Sequence, residues 1–279
     1  MRQRVIWLER KYKKLAEILQ QYQQVLVAYS GGVDSTLLLA VAARVLGERV
    51  LAVTAVSATS TAAEVQAAKD LAGCLGVKHL VVATDEMQHR GFTDNTPRKC
   101  YYCKRLRFSR LLEIARQHNI TWVADGSNLD DLQDYRPGLQ ALKELGVGSP
   151  LLEAGLTKTD IRRLSRRLAL PTWNKPADPC LASRIPYGEE ITAEKLRRVE
   201  EAELFLKSLG FSPVRVRHPE GEARVEIVRQ QFAQLTSLAE RVTEQFKKLG
   251  FNKITLDLCG FRSGSLNEDL SQVKESSQA

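Results

Sequence analysis

The stretch that most constrains the fold is Val25-Leu-Val-Ala-Tyr-Ser30-Gly-Gly-Val-Asp34-Ser35-Thr36, which runs straight into Leu37-Leu-Leu-Ala-Val-Ala-Ala. Its short apolar start predicts a buried parallel strand, and the run after Asp34 predicts a buried helix. Ser30, Gly31 and Gly32 form the turn between them, where paired glycines let the backbone approach a ligand and aim N–H groups outward. Asp34, Ser35 and Thr36 then open a helix whose positive end attracts an anion. The stretch therefore reads as a phosphate cradle, although it lacks the lysine of the common loop G-x-x-x-x-G-K-[ST]. The plainer alternative is an ordinary strand-to-helix turn with Ser35 as its cap.

The rest of the chain repeats this strand–helix rhythm. Helical spacing of Ile6, Leu8, Leu15, Ile18, Leu19 and Tyr22 predicts an amphipathic helix over 1–22. Strands are expected at 50–56, 78–83 and 121–126, and helices at 59–75 and 99–118, with a mobile polar loop over 84–97. That alternation predicts an α/β fold with a doubly wound parallel sheet and ligands at the C-terminal strand ends. Helices follow at 139–145 and 157–168, and 171–188 reads as an irregular functional loop. The helix–strand–strand–helix–strand order expected at 192–209, 214–217, 223–228, 232–249 and 253–258 predicts a second, smaller α+β domain. The expected division is 1–187, 188–262 and a flexible tail, 263–279.

Composition narrows the class of function. A chain of 279 residues can bury one good core and a second, smaller one. No apolar run approaches the roughly 18–20 residues of a membrane span. The charged start, Met1 to Arg10, does not read as a secretory signal, so a cytoplasmic protein without a membrane partner is expected. A net charge of +8 suits anionic ligands, whether nucleotide, phosphorylated substrate or RNA. In a reducing compartment five cysteines point to metal or catalytic work more than to disulfides.

Several clusters could carry chemistry. Asp125-Gly-Ser-Asn-Leu-Asp-Asp131 follows the fourth expected strand. Gly126 would let the backbone near a nucleotide, with Asn128 beside it and Asp130 or Asp34 helping to hold Mg²⁺. A polar turn in which Asn128 or Asp130 caps the next helix is the alternative. Arg136 is a candidate partner for phosphate or carboxylate. Cys100-Tyr-Tyr-Cys103 opens a helix amid Arg98, Lys99, Lys104 and Arg105, which favours thiolates and also fits a redox pair. With Cys180 it makes three thiols, a set that suits a 4Fe–4S cluster with an open iron or a zinc with exchangeable water. The alternative is that Cys180 is simply buried, the role expected of Cys74 and Cys259. Arg215 and Arg217 alternate on one strand face, which makes either a phosphate site or an exposed basic face. Glu200, Glu201 and Glu203 read as solvated surface.

The turn Ser30-Gly-Gly-Val-Asp-Ser35 resembles the pyrophosphate loop of the ATP pyrophosphatases, which adenylate a carbonyl or carboxyl oxygen. Together with Asp125-Gly-Ser-Asn-Leu-Asp-Asp131, Asp134-Tyr-Arg-Pro-Gly-Leu139, Ser149-Pro-Leu-Leu-Glu-Ala-Gly-Leu-Thr-Lys158, Leu170-Pro-Thr-Trp-Asn-Lys-Pro176 and Cys180-Leu-Ala-Ser-Arg-Ile-Pro-Tyr-Gly188, it resembles the LarE family. The resemblance runs from about residue 10 to 260 and departs from the family pattern at Ala177-Asp178-Pro179. It implies an adenine nucleotide alpha-hydrolase-like fold and an ATP-dependent sulfur transferase, acting in nickel-pincer nucleotide synthesis for lactate racemase. A carboxylate of a pyridinium-3,5-dicarboxylate mononucleotide would be adenylated and converted to a thiocarboxylate.

The implied ATP contacts are Ser30, Gly31, Gly32, Val33, Asp34, Ser35, Thr36, Ser57, Gly126 and Asn128, with Asp34, Ser35 and Cys180 catalytic. Arg136, Ser183, Arg184, Arg215 and Arg217 would bind substrate. In one kind of the family a cysteine matching Cys180 surrenders its own sulfur. In the other, three matching Cys100, Cys103 and Cys180 hold a 4Fe–4S cluster carrying sulfide; this chain has all three, so the resemblance implies the cluster-bearing kind, with ATP, magnesium and a 4Fe–4S cluster as cofactors. The expected partners are ATP, the nucleotide substrate, sulfide or another sulfur donor, and a second copy of the chain. The rival is a cluster-dependent tRNA thiolase, disfavoured because no RNA-binding module or further zinc knuckle is present.

Overall fold

The computed structural model describes residues 2–133, 136–176 and 178–262. Asp134, Tyr135 and Ala177 of the motifs above, and the tail from Ser263, lie outside the described residues. Contacts divide the chain into two units. One takes the residues through His89 and from Arg98 to Pro176, and the other takes Arg90–Pro97 and the residues from Asp178 onward. The sequence reading set the boundary near Tyr187 instead.

The first unit is built on a four-stranded parallel sheet of order β3-β2-β1-β4, where β1 is Val25–Ala28, β2 Val50–Val56, β3 Lys78–Ala83 and β4 Trp122–Ala124. The central strand β1 pairs with both neighbours in parallel, Val25 opposite Val50 on one side and Trp122 on the other. Successive strands run outward from β1 to β3, and the chain then crosses back to β4. The order thus reverses between β1 and β4, the place where doubly wound sheets bind ligands.

Side-chain alternation along β1 splits it between two cores. Val25 and Val27 join Leu15, Leu19, Leu38, Ala68 and Ile161 on one face, whereas Leu26 joins Phe108, Leu111, Val123 and Leu142 on the other. Each fully buried side chain of this size contributes about 1.5–3 kcal/mol. The helix Val33–Leu46 is apolar on nearly every side, with Val33 and Ser35 through Ala42 buried except Asp34. It is a central helix, sandwiched rather than lying on the surface. Capping fixes two other starts. The Thr61 side chain accepts from the Glu64 amide and starts Ala62–Cys74 three residues later than the pattern suggested, and Thr157 with Asp160 forms the capping box that starts Lys158–Arg167.

The second unit holds a three-stranded sheet. β5 (Val214–Arg217) is antiparallel to β6 (Ala223–Ile227), which is parallel to β7 (Ile254–Leu256). Leu206, Phe211, Val216, Val225, Ile227, Phe246 and Phe251 form its core. The single helix expected over 232–249 is two, Phe232–Ser237 and Ala239–Lys248. Thr236 and Ser237 donate their hydroxyls to carbonyls one turn back, a substitution for ladder bonds that bends helices.

The stretch 84–97, expected to be a mobile loop, is folded. Asn95 is buried with φ of +52°, and its side-chain amide donates to the carbonyls of Ile185 (3.3 Å), Pro186 (2.5 Å) and Glu189 (2.9 Å). This side chain, together with the Asn95 and Thr93 carbonyls that accept from the Gly188 and Ile191 amides, ties Arg90–Pro97 into the second unit. Asn95→Ala should destabilise the protein by about 2–3 kcal/mol, because it strands buried carbonyls and puts a Cβ-bearing residue without a compensating amide at positive φ. Asn95→Gly should recover only the backbone share, about 1 kcal/mol. Urea unfolding of the three proteins measures both.

Candidate active site

At the C-terminal end of β1 the loop closes on itself through two serines. Ser35 Oγ lies 3.2 Å from Ser30 Oγ, accepts from the Ser30 amide at 3.3 Å and donates to the Gly32 carbonyl at 3.3 Å. Gly31 has φ of +67°, and a Cβ there would meet the Ala68 Cβ at 3.2 Å. The turn therefore needs glycine for both its torsion and its packing. From the neighbouring strand β4, Gly126 brings its backbone against the helix start, where a Cβ would come 3.1 Å from the Ser35 amide nitrogen.

Around this loop stand charged groups drawn from distant sequence. Lys158 forms an ion pair with Asp34 Oδ2, and Lys175 donates to the Gly31 carbonyl at 3.1 Å. Burial pushes the Asp34 carboxyl above the usual carboxylate range, although Lys158 acts in the opposite direction. The other oxygen, Asp34 Oδ1, is buried without a hydrogen-bond partner. Asp130 Oδ2 accepts from the Lys158 amide at 2.9 Å and so caps that helix, while Asn128 Oδ1 accepts from the Asp130 amide at 3.0 Å. Arg136 pairs with Asp131 at 2.8 Å, and Asp131 also accepts from the Asn128 amide. Asp125 is buried and bound by Ser127, Ser149 and Lys104, so it braces the loop after β4.

A second network lies at the C-terminal ends of β2 and β3. Buried Glu86 accepts from Arg107 Nε at 2.5 Å and from Thr84 Oγ1 at 2.9 Å. Arg107 Nη2 also donates to Ser57 Oγ at 3.0 Å and Thr59 Oγ1 at 2.9 Å. The pattern of apolar residues gave no sign of Arg107 or Glu86, because their partners are far apart in sequence.

The donor set fits a nucleotide with Mg²⁺. The loop is free of side-chain bulk at Gly31, Gly32 and Gly126, and an unpartnered carboxylate oxygen of Asp34 is suited to a cation. Mg²⁺ on a nucleotide takes one or two carboxylates plus phosphate oxygens and does not require a cage of protein ligands. The cluster expectation fares differently. Among the described residues no group of three or more His, Cys, Asp or Glu could hold a metal ion. Cys100, exposed, and Cys103, half-buried, lie in the first two turns of the helix Lys99–Gln117 in the first unit. Cys180, exposed, precedes the short turn Leu181–Arg184 in the second. A 4Fe–4S cluster is therefore not supported by the described residues. Cys74 and Cys259, expected to be buried, are exposed, since Cys74 ends its helix and Cys259 lies past β7.

In the second unit the segment carrying Cys180 is held by arginines. Buried Arg184 bonds both Glu203 oxygens at 2.8 and 3.0 Å, and also Asp178, the Pro179 carbonyl, the Cys180 carbonyl at 3.3 Å and Ser183 Oγ at 3.1 Å. Burial opposes this charge, but Glu203 and Asp178 outweigh it and raise the guanidinium's pKa. Arg217 pairs with buried Glu226 at 2.9 Å and donates to the Ser183 carbonyl at 2.5 Å. Arg215 is buried too, with its guanidinium 4.5 Å from the Phe261 ring centre. Burial, then the charges of Arg184 and Arg217, lower the Arg215 pKa. The basic strand face is thus an interior one. Glu203, read as solvated surface, is buried; it falls on the Leu196–Val199–Leu206 stripe of its helix, which is the signal that could have found it.

Residues 7–177 match the NAD synthase family. Over 268 residues the chain is 46% identical to an uncharacterized protein of Synechocystis, covering 95% of this chain and 100% of that protein. It is 41% identical over 268 residues to a Lactiplantibacillus plantarum protein named pyridinium-3,5-bisthiocarboxylic acid mononucleotide synthase, covering 96% and 97% respectively. It is 26% identical over 212 residues to one subunit of a glutamine-hydrolyzing GMP synthase from Archaeoglobus fulgidus, covering 70% and 68%.

The Glu86–Arg107 pair gives a prediction with a sign. Burial alone would raise the Glu86 pKa, but the Arg107 charge and the hydrogen bonds lower it. Its stabilisation is present above the unfolded carboxylate value, about 4.3, and is lost as pH falls through the lower folded value. Arg107→Met should cost about 3 kcal/mol at pH 7 by leaving a buried carboxylate unpaired. In that variant burial raises the Glu86 pKa, so the deficit against the wild type should shrink as pH falls toward 4. Chemical denaturation at pH 7, 5.5 and 4.5 measures the trend.

Proposed function

The chain belongs to the NAD synthase family of the pyrophosphate-loop superfamily and, over nearly its whole length, to the LarE-type synthases, and we propose that it is an ATP-dependent sulfur transferase acting on a pyridinium-3,5-dicarboxylate mononucleotide. The observation that carries this reading is the loop Ser30–Thr36, glycine-clear and facing β4, combined with an exposed cysteine in the Cys180 motif.

In the first half-reaction a substrate carboxylate oxygen attacks the α-phosphorus of ATP. The bond from that phosphorus to the α–β bridging oxygen breaks, and pyrophosphate leaves. Backbone N–H groups of Gly31 through Ser35 would hold the leaving group at the helix start, where they need little reorganisation as its charge develops. Mg²⁺ bound to the phosphates would neutralise part of that charge. Asp34 is the residue proposed to hold it, with a weaker role for Asp130, which caps the Lys158 helix. Ser57 is proposed at the adenosine end of the nucleotide, its hydroxyl oriented by Arg107.

In the second half-reaction the Cys180 thiolate would attack the acyl carbon, AMP would leave with the carbon–oxygen bonding pair, and a thioester would form; loss of the Cys180 α-proton and cleavage of its Cβ–Sγ bond would then free the thiocarboxylate and leave dehydroalanine at position 180. Cys180 is the residue proposed to deliver the sulfur. We assign Arg184 and Arg217 to holding the Cys180 segment in place, since both donate to backbone carbonyls there. Arg136, Ser183 and Arg215 are proposed for substrate phosphate and carboxylates. A bound anion beside Arg215 would offset the two neighbouring guanidinium charges. We propose a cytoplasmic enzyme, active as a homo-oligomer and using no nucleic acid; sulfide or another small sulfur donor would be a co-substrate only in the cluster-bearing route.

The two halves separate in one variant. Cys180→Ala should retain substrate-dependent pyrophosphate release, within a few-fold of the wild type for the first turnover, and should form no thiocarboxylate. Loss of both halves, or retention of both, would remove Cys180 from its proposed role. Iron and sulfide in the anaerobically purified wild type, lost together with thiocarboxylate formation in Cys100→Ala, would establish the cluster-bearing route. Steeply salt-dependent tRNA binding with a thiolated nucleoside as product would favour the tRNA thiolase.

A further inference from the structure

The loop Ser30–Thr36 has no lysine of its own, yet two ammonium groups reach it. One, Lys158, is committed to the Asp34 carboxylate. The other, Lys175, sets Nζ 3.1 Å from the Gly31 carbonyl oxygen across a sequence separation of 144 residues. Its main chain is anchored on both sides of the residue: the Lys175 amide donates to the Thr172 carbonyl at 2.9 Å, and the Lys175 carbonyl accepts from Arg162 Nη2 at 2.9 Å. Arg162 also holds the Trp173 carbonyl at 3.0 Å, so the turn Pro171–Asn174 is fixed where Lys175 leaves it. An ammonium has three donor hydrogens, and the Gly31 carbonyl engages one. A neutral carbonyl is a weaker partner than a phosphate oxygen, to which lysine binds as a point charge.

We propose that Lys175 is a phosphate-binding residue, contacting the β- and γ-phosphates of ATP and the pyrophosphate that leaves. It supplies from 144 residues downstream the cation that the commoner phosphate loop carries within its own motif. Its position on the Gly31 carbonyl puts the charge at the end of the loop where leaving-group charge accumulates, so it assists cleavage as well as binding. The proposal rests on reading Ser30–Thr36 as a pyrophosphate cradle, and does not depend on which carboxylate is adenylated.

Calorimetric titration with three probes tests it: magnesium pyrophosphate, the magnesium complex of α,β-methylene-ATP, and AMP. Lys175→Met keeps the apolar stem and removes the charge, and should weaken the first two probes by about 10- to 100-fold, the range of a charge-assisted hydrogen bond. AMP, which has no β-phosphate, should change less than two-fold, and Lys175→Arg should restore most of the lost affinity. Equal losses for AMP and the ATP analogue would mean that Lys175 only supports the Gly31 turn and would overturn the proposal, as would unchanged pyrophosphate affinity. Wild-type protein that binds none of the three would remove the cradle itself. Normal binding without carboxylate-dependent pyrophosphate release would remove the adenylation reading and leave Lys175 in its role.

Discussion

Parallel pairing of β1 with both β2 and β4 is the constraint on which the first unit depends. The pairing places the loop after β1 beside the loop after β4, although nearly a hundred residues separate those strands in sequence, Val25 standing opposite Trp122. The contact between them is tight, since a Cβ on Gly126 would come 3.1 Å from the Ser35 amide. Strand order thus creates the crevice, and glycine at two loops keeps it clear of side chains. The apolar helix Val33–Leu46 is buried on almost every side, which fixes the direction of its N-terminal N–H groups. Where the sheet's order reverses, the start of that helix lies beside the loop after β4, the arrangement that the proposed phosphate site uses.

Charge around the crevice follows from burial. Asp34 lies in partly desolvated surroundings that raise its pKa against the pull of Lys158, so its ionised form favours a cation close by. The second unit shows the same economy deeper inside, where Arg184 with Glu203 and Arg217 with Glu226 are buried pairs. Such pairs gain little over an apolar core but cost several kcal/mol when one partner is removed. Their further hydrogen bonds go to the Pro179, Cys180 and Ser183 carbonyls. The electrostatic cost of burial thereby fixes the backbone on either side of an exposed thiol.

Much of the architecture was legible because it depends on local pattern. The apolar runs at Val50–Val56 and Lys78–Ala83 are strands over those same residues, and Gly31 and Gly126 stand where ligand loops of a parallel sheet should be. Less legible was anything set by long-range pairing. The alternation of Arg215 and Arg217 gave their common face but not its burial, since Glu226, the carboxylate partner of Arg217, lies on the adjacent strand. Lys158 and Lys175 showed no connection to the loop, because each is more than a hundred residues downstream of its partner. Asn95 looked like part of a polar loop, and only the fold shows its amide serving three carbonyls.

The central claim, that a substrate carboxylate takes AMP from ATP at the Ser30–Thr36 loop, is open to one direct measurement. Pyridinium-3,5-dicarboxylate mononucleotide labelled with ¹⁸O in its carboxylates is incubated with the enzyme, Mg-ATP and a sulfur donor, and the nucleotide products are weighed by mass spectrometry. The account predicts pyrophosphate together with AMP that carries one ¹⁸O from the carboxylate. Formation of ADP and phosphate, or of AMP without label, would contradict it.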